Sequence, residues 1–514
     1  MENTAESAPL SAASTDIQSI LEWLATEHGH RSSHDADQLY GQLFKLRNAP
    51  LPLPQRIKLL DLLHSHVEGV VRAELQSFEN TSLPAGRRLR QRIRRITRLL
   101  GALSQDYFAA LAKLLESGGG NALAAPLLHA MQALIWQIRI SHLLAAPTGV
   151  GLWRQLHSAF RTARRLGLET LAGPRGGPSI LRVYSNILLA AIALPASFSA
   201  AELLFISDYI EGSPLSLDLS AIPPASADSV FWIDPERDSP AQAMVRRIPT
   251  RHSQPLYFSA AAIAAETHRQ LDELAGNASA ASLRLPALAE TRSGQSILRR
   301  LGERWGKPAK RRFVRRRQFA RVNLCPGLDN LWRLMRHSEP PPELSEWMVL
   351  NESPEGYALM HVKGGTDGLH IGDVVAVQTI GEAEDEPKPW CVCLIRWAIS
   401  DNPEHIELGL QLIASRAIAA EISQPDKLDA HRVTALILPE TLPLRPFESL
   451  LVASGQIENG NTPLVLLVEQ DNLLIREIHA GEPAEQTCNI DLFNVARSGS
   501  APVAVEPGGE EAAE

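Results

Sequence analysis

Near residue 310 the spacing of apolar side chains changes, and this constrains the fold more than any other feature of the chain. From about residue 17 to about residue 300 apolar residues recur every three or four positions, as in PQRIKLLDLLHSHVEGVVRAEL, LRQRIRRITRLLGALSQDYFAALAKLLE and GLWRQLHSAFRTARRLGLE. That period lines one stripe of an α-helix. After 310 the period falls toward two, as in EWMVLNES, YALMHVKG, DVVAVQTI, WCVCLIRWAI, RVTALILP and PLVLLVEQ. Alternation of that kind belongs to short strands with one buried face. One chain therefore carries two architectures, and the expected fold class is multidomain α plus β.

A length of 514 residues exceeds one ordinary core. Residues 1–16 are expected to be a flexible N-terminus. Residues 17–228 form an all-α region, a bundle or a solenoid-like stack of hairpins, broken at PLPLPQ, SGGGN, GPRGGP and SPLSLDL. No fixed repeat motif assigns it to a named repeat family. Residues 229–309 are a mixed strand and helix segment with a linker, residues 310–415 a small antiparallel β-barrel, and residues 416–495 an additional strand-rich segment. Barrel closure is expected because many short strands joined by polar turns otherwise leave open edges. Residues 496–514 are a low-complexity acidic tail expected to be disordered.

Apolar content of 45% and charged content of 21% match a soluble globular chain. The apolar run NILLAAIALP ends at Pro195 after about nine residues, whereas a membrane span needs about 20, so it reads as a buried helix. The N-terminus lacks the basic start and apolar core of a signal peptide. The four cysteines are Cys325, Cys391, Cys393 and Cys488; three sit in or beside apolar runs, which suits buried, reduced thiols and a cytoplasmic location. A lone CxC is a poor metal site, so no metal is expected. The strings GxSxG, HExxH, GxxxxGK and GxGxxG are absent. Residues His28, His30, His64 and His66 have no acidic partner at a recognisable spacing. No catalytic residues and no enzyme activity are expected.

The chain is acidic overall, with net charge −8, yet seven of the twelve residues from Lys310 to Arg321 are basic. Three readings compete for RRFVRRRQFARV: a nucleic-acid patch, a solvated linker, or a pocket for a small phosphorylated ligand. A second basic group, Arg87, Arg88, Arg90, Arg92, Arg94, Arg95 and Arg98, studs one predicted helix. The acidic whole and few aromatics favour a solvated helix face over RNA binding.

About thirty residues beyond Arg321 stands NESPEG, Asn351 to Gly356. An RRxxxRV string at Arg316, Arg317, Arg321 and Val322, followed by NxSxxG and then strands, resembles the PilZ domain. YALMHV, HIGDVVAVQ, CVCLIRWAI and ELGLQLI resemble its later strands, so the resemblance covers roughly residues 311–415. It implies binding of cyclic di-GMP: Arg317 and Arg321 on phosphate and guanine, Arg316 assisting, Asn351 and Ser353 on the base, and Gly356 at the turn. Arg311/Arg315 and Arg312/Arg316 are RxxxR pairs too; Arg317/Arg321 is preferred because RV leads into an apolar strand.

The chemistry of the residues agrees. An arginine fork gives two parallel bonds to a phosphate, matches O6 and N7 of guanine, and stacks on a purine. Asn351 and Ser353, two apart on a strand, share one face. Phe319 and Val322 are expected to anchor the arginine segment to the barrel. The helix-like LDNLWRLM and the loop SEPPPE between the motifs depart from the family pattern. The implied function is a cytoplasmic receptor for cyclic di-GMP that signals through its helical region to an unidentified protein partner, in processes such as motility or biofilm formation. Nucleic acid is not an expected partner. The alternative is a helical scaffold with a degenerate, non-binding barrel.

Overall fold

The computed structural model describes residues 8–25, 33–79, 81, 83–225, 229–250, 253–308, 313–381, 388–402, 405–423, 432–442, 445–457, 463–469, 473–487 and 489–497. The chain divides into two units, residues 1–311 with 399–403, and residues 312–398 with 404–514.

The first unit begins with helices α1 (Ala8–Ala25), α2 (Ser33–Asn48), α3 (Leu53–Gln76), α4 (Arg87–Glu116), α5 (Ala124–Leu143), α6 (Leu152–Arg165), α7 (Ile180–Ile192) and α8 (Ala200–Gly212). Helix α1 starts inside the segment expected to be a flexible terminus. A three-stranded antiparallel sheet follows, with β1 (Val230–Ile233) between β2 (Gln242–Ala243) and β3 (Leu256–Ser259). Helices α9 (Ala261–Ala275) and α10 (Arg292–Gly306) complete the unit.

The helical period becomes burial directly. On α4 the buried set is Ile93, Ile96, Leu99, Leu100, Leu103, Tyr107 and Leu111, and on α6 it is Trp153, Leu156, Phe160 and Ala163. One continuous apolar core runs from Ile20 to Trp305, so the mixed segment after residue 229 shares the core of the helices. Ser199 and Glu202 form a reciprocal capping box at the start of α8. Asp61 of α3 accepts hydrogen bonds at Oδ1 from Tyr107 of α4 and His129 of α5, both at 2.9 Å, which ties three helices together.

The arginines of α4 have internal work. Arg92 pairs with Glu74 at 2.7 Å, Arg95 and Arg98 pair with Asp37 at 3.3 and 2.7 Å, and Arg98 lies 4.4 Å over the Tyr40 ring. These contacts fasten α4 to α2 and α3.

The second unit contains β4 (Arg316–Arg317), β5 (Arg321–Pro326), α11 (Leu328–Met335), β6 (Ser345–Ser353), β7 (Gly356–Lys363), β8 (Val374–Thr379), β9 (Cys391–Asn402) as far as residue 398, and β10 (His405–Ala414). Strands β6-β5-β8-β9-β10-β7 pair in that order, and β6–β7 pairing closes the ring. Strand β4 adds to β6 beyond the end of β5. A second closed barrel follows, in the order β11 (Ile418–Ser423), β12 (Val433–Leu438), β13 (Ser449–Ala453), β16 (Ile490–Arg497), β15 (Leu473–Gln486) and β14 (Pro463–Glu469).

Helix α11 explains the LDNLWRLM segment. Leu328 and Leu331 enter a core to which the first barrel gives Cys325, Val374, Ala376 and Val392, and the second gives Leu436, Leu438, Leu451 and Leu492. Trp332 Nε1 donates to Ala420 O at 2.8 Å, and Arg336 stacks on Trp332 while pairing with Glu421 and Glu469. Strand β8 has this core on one face and the barrel interior on the other, so Val374, Val375, Ala376 and Val377 are all buried. Its unbroken apolar run follows from that two-sided burial.

Cys325, Cys391 and Cys393 are free thiols; Cys488 and residues 498–514 lie outside the described residues, while residues 496 and 497 of the expected tail end β16. Among the described residues no helix is long and apolar enough to cross a membrane. Leu331 is fully buried in the shared core. Leu331→Ala is therefore expected to destabilise the second unit by about 2–5 kcal/mol, seen as a lower denaturant midpoint in the transition of that unit.

Candidate ligand-binding site

Strand β6 carries Asn351 and Ser353 of the second motif and pairs with the two strands that carry the arginines of the first. Along one edge it pairs first with β5, where Leu324 lies opposite Ser345, Val322 opposite Trp347, and Arg321 opposite Met348. Further along the same edge it pairs with β4, where Arg317 lies opposite Asn351 and Arg316 opposite Glu352. Across the interruption the Val349 N–H donates to Ala320 O at 2.8 Å. Arg317 and Asn351, 34 positions apart in sequence, are thus direct cross-strand neighbours. The anchoring of this segment differs from the expectation in one residue. Val322 is 2% exposed and packs inward, but Phe319 is 78% exposed and anchors nothing.

A bulge decides which residues reach the outer face of the barrel. Ser345, Trp347 and Val349 are buried at period two, and the same period would send Asn351 and Ser353 inward as well. Opposite β7, Val349 pairs with Leu359 but Asn351 pairs with the next residue, Ala358. The extra residue on β6 is Leu350, and one extra residue exchanges the faces of everything after it. Glu352 turns inward and, with Gln318, Val322, Val349 and Val377, lines a cavity of about 210 Å³ at the barrel end. Oriented toward the carboxylate, the Gln318 amide donates to both Glu352 oxygens at 2.5 Å. Asn351 and Ser353 come to the outer face with Arg317.

Two rows of residues cross this face. The first runs Arg317, Asn351, Ala358, Gly409. At Gly409 a Cβ would lie 1.8 Å from Trp397 Nε1, so the indole covers the glycine and ends the row. The second runs Ser353, Gly356, Gln411. Gly356 has φ +147°, and a Cβ there would lie 1.9 Å from Leu410 O. The close pass of β10, as much as the turn itself, requires glycine at that position. Ser353 Oγ donates to Gly356 O at 3.5 Å.

The polar groups of the face are held unevenly. Asn351 Oδ1 is buried without a hydrogen-bond partner, a state that buried carbonyl oxygens rarely keep. Arg316 and Arg317 are exposed, and no described residue forms an ion pair with them. Arg321 pairs with Glu346, whose other oxygen accepts from Lys363 Nζ at 2.8 Å. The hydrogen bonds from Lys363 and Arg321 hold the Glu346 carboxyl below its ordinary range. The surface thus combines the free Arg317 guanidinium, an unmatched amide oxygen, and a row of small residues that Trp397 covers at Gly409. That set suits a planar, anionic ligand.

Residues 333–418 match the family model of the middle PilZ domain of the cyclic-di-GMP receptor FimW. The first barrel is a PilZ domain. Residues 18–223 match the model of the N-terminal domain of the same receptor. The chain is 22% identical over 518 residues to the cyclic-di-GMP receptor FimW of Pseudomonas aeruginosa, a match that covers 84% of this chain and 82% of that protein. The solved structure of the Bacillus subtilis inhibitor of motility, MotI/DgrA, matches 35% of this chain and 88% of its own at 15% identity, with a TM-score of 0.12.

The matched PilZ segment begins within α11, so β4 and β5 precede it. All six residues singled out by the motifs lie on β4, β5, β6 or the start of β7 of the PilZ barrel. Arg316 stands opposite Glu352, on the row adjacent to that of Arg317 and Asn351. Arg311 and Arg312 of the alternative registers lie outside the described residues. Motif reading passed over Trp397, Glu346 and Lys363. An isolated glycine inside ELGLQLI was a usable cue, since glycine within a strand marks a close approach; the Glu346 pairings had no cue, because they depend on register.

The depressed Glu346 carboxyl has a definite sign. Its contribution to stability is present above the ordinary value of 4.5 and is lost as pH falls through the lower folded-state value. Melting temperature measured from pH 6 to pH 3 is expected to fall more steeply below about pH 4.5 in the wild type than in Glu346→Gln. Parallel curves would remove Arg321 and Lys363 as the cause.

Proposed function

We propose that this chain is a cyclic di-GMP receptor that binds the nucleotide on the outer face of its PilZ barrel. The observation that carries the reading is the pairing of Arg317 with Asn351, which joins the two motifs on one row. The domain matches to a cyclic-di-GMP receptor support it.

In this reading Arg317 and Arg321 hold a phosphate and the Hoogsteen edge of a guanine, with Arg316 assisting. The Asn351 Oδ1 oxygen accepts from a guanine N–H, which removes its unmatched state, and Ser353 adds a short polar contact. Ala358 adds no side-chain bulk beside Asn351, and Trp397, seated over Gly409, offers its ring edge or face at the end of the row. Arg321 keeps Glu346 on one side and presents its remaining donors to the ligand. The arginine segment starts on the sheet, so binding orders few residues and little conformational entropy is lost. The bound state is then passed to a protein partner through the helical unit, in the cytoplasm, where free thiols persist.

Calorimetric titration of the full chain with cyclic di-GMP tests the site. Arg317→Ala and Arg321→Ala are each expected to weaken binding about 10- to 100-fold, the scale of a charge-assisted hydrogen bond. No heat at tens of micromolar nucleotide, or unchanged affinity in both variants, sinks the reading in favour of a scaffold with a silent barrel.

A further inference from the structure

Arg396 of β9 belongs to neither motif, yet it stands at the end of the second row. Its Nε donates to Gln411 Oε1 at 2.5 Å, and Gln411 pairs with Gly356, which pairs with Ser353. Neighbouring strands lie about 4.8 Å apart, so Gln411 is about 10 Å from Ser353, within the span of a ligand that carries two phosphates and two bases. The two terminal nitrogens of Arg396 are occupied by the second barrel. Nη1 donates to Glu485 Oε1 and Nη2 to Glu485 Oε2, each at 2.8 Å. Side-chain exposures of 29% for Arg396 and 28% for Glu485 leave the pair reachable from solvent.

We propose that Arg396 is a further phosphate-binding arginine of this site, and that Glu485 occupies its fork until a ligand phosphate replaces it. The proposal rests on the cyclic di-GMP reading and deepens it. A phosphate offers the fork the same two parallel acceptors as a carboxylate, so Arg396 keeps two charge-assisted bonds through the exchange. Gln411 holds Nε throughout and so keeps the guanidinium plane in place. Glu485, already partly exposed, passes to water. The second barrel stays seated during the exchange because other contacts hold it: Thr487 Oγ1 donates to Gly372 O at 3.0 Å, Asn489 Nδ2 donates to Asp373 Oδ1, and α11 fills the shared core.

The two partners of this ion pair then act in opposite directions on binding. In calorimetric titrations of the full chain with cyclic di-GMP, Arg396→Ala is expected to weaken affinity about 10-fold, and Glu485→Gln to strengthen it about 3- to 10-fold. Arg396→Lys keeps the charge without the fork and is expected to bind more weakly than the wild type. A pair with a structural role alone lowers the melting temperature in both variants and shifts affinity in one direction or not at all. Wild-type binding with unchanged affinity in Arg396→Ala, or weakened affinity in Glu485→Gln, overturns the proposal and leaves the receptor reading standing. Failure of the wild type to bind overturns that reading, and this proposal falls with it.

Discussion

The site depends on the extra residue that Leu350 inserts into β6. A strand has period two, so a single insertion exchanges its faces. Before the bulge, alternate residues of β6 build the barrel interior; after it, the same alternation places Asn351 and Ser353 outside and Glu352 at the barrel mouth. The pairing of β4 with the last residues of β6 then puts Arg317 beside Asn351. Without the bulge the amide and hydroxyl would point into the barrel interior.

The broad architecture was legible because hydrophobic period is a physical consequence of burial. The change near residue 310 separates a helical unit from strands, and the VNLCPGLDNLWRLM segment announced its helix through the spacing of Leu328, Leu331 and Trp332. What that helix does was not legible. Its partners come from two barrels and are spread from Cys325 to Leu492, and a one-sided apolar stripe does not say which surface it meets. The strand-rich stretch after residue 416 likewise gave no sign of closing on itself.

At the site, the residue types were legible and their supports were not. The glycine at 356 was assigned to a turn, whereas the tighter constraint is the carbonyl of Leu410 on a strand fifty residues later. Phe319 was expected to anchor the segment together with Val322; its position in the outward half of the alternation leaves it in solvent. The arginines of α4 were expected to form a solvated helix face, but three of them pair with Asp37 and Glu74 on neighbouring helices. Arginine density alone does not distinguish an internal clamp from a ligand site. The difference between α4 and β4 is that carboxylates of neighbouring helices pair with the α4 arginines, whereas no described residue forms an ion pair with Arg317.

The central claim is that the arginine segment is docked on β6 before any ligand arrives. Amide hydrogen exchange at Val349 measures this directly, because its N–H is bonded to Ala320 O of that segment. The docked arrangement predicts slow exchange at Val349 in the nucleotide-free protein, with little further slowing when cyclic di-GMP is added. Exchange at the rate of an open chain without nucleotide, with protection appearing only after it is added, would contradict the account.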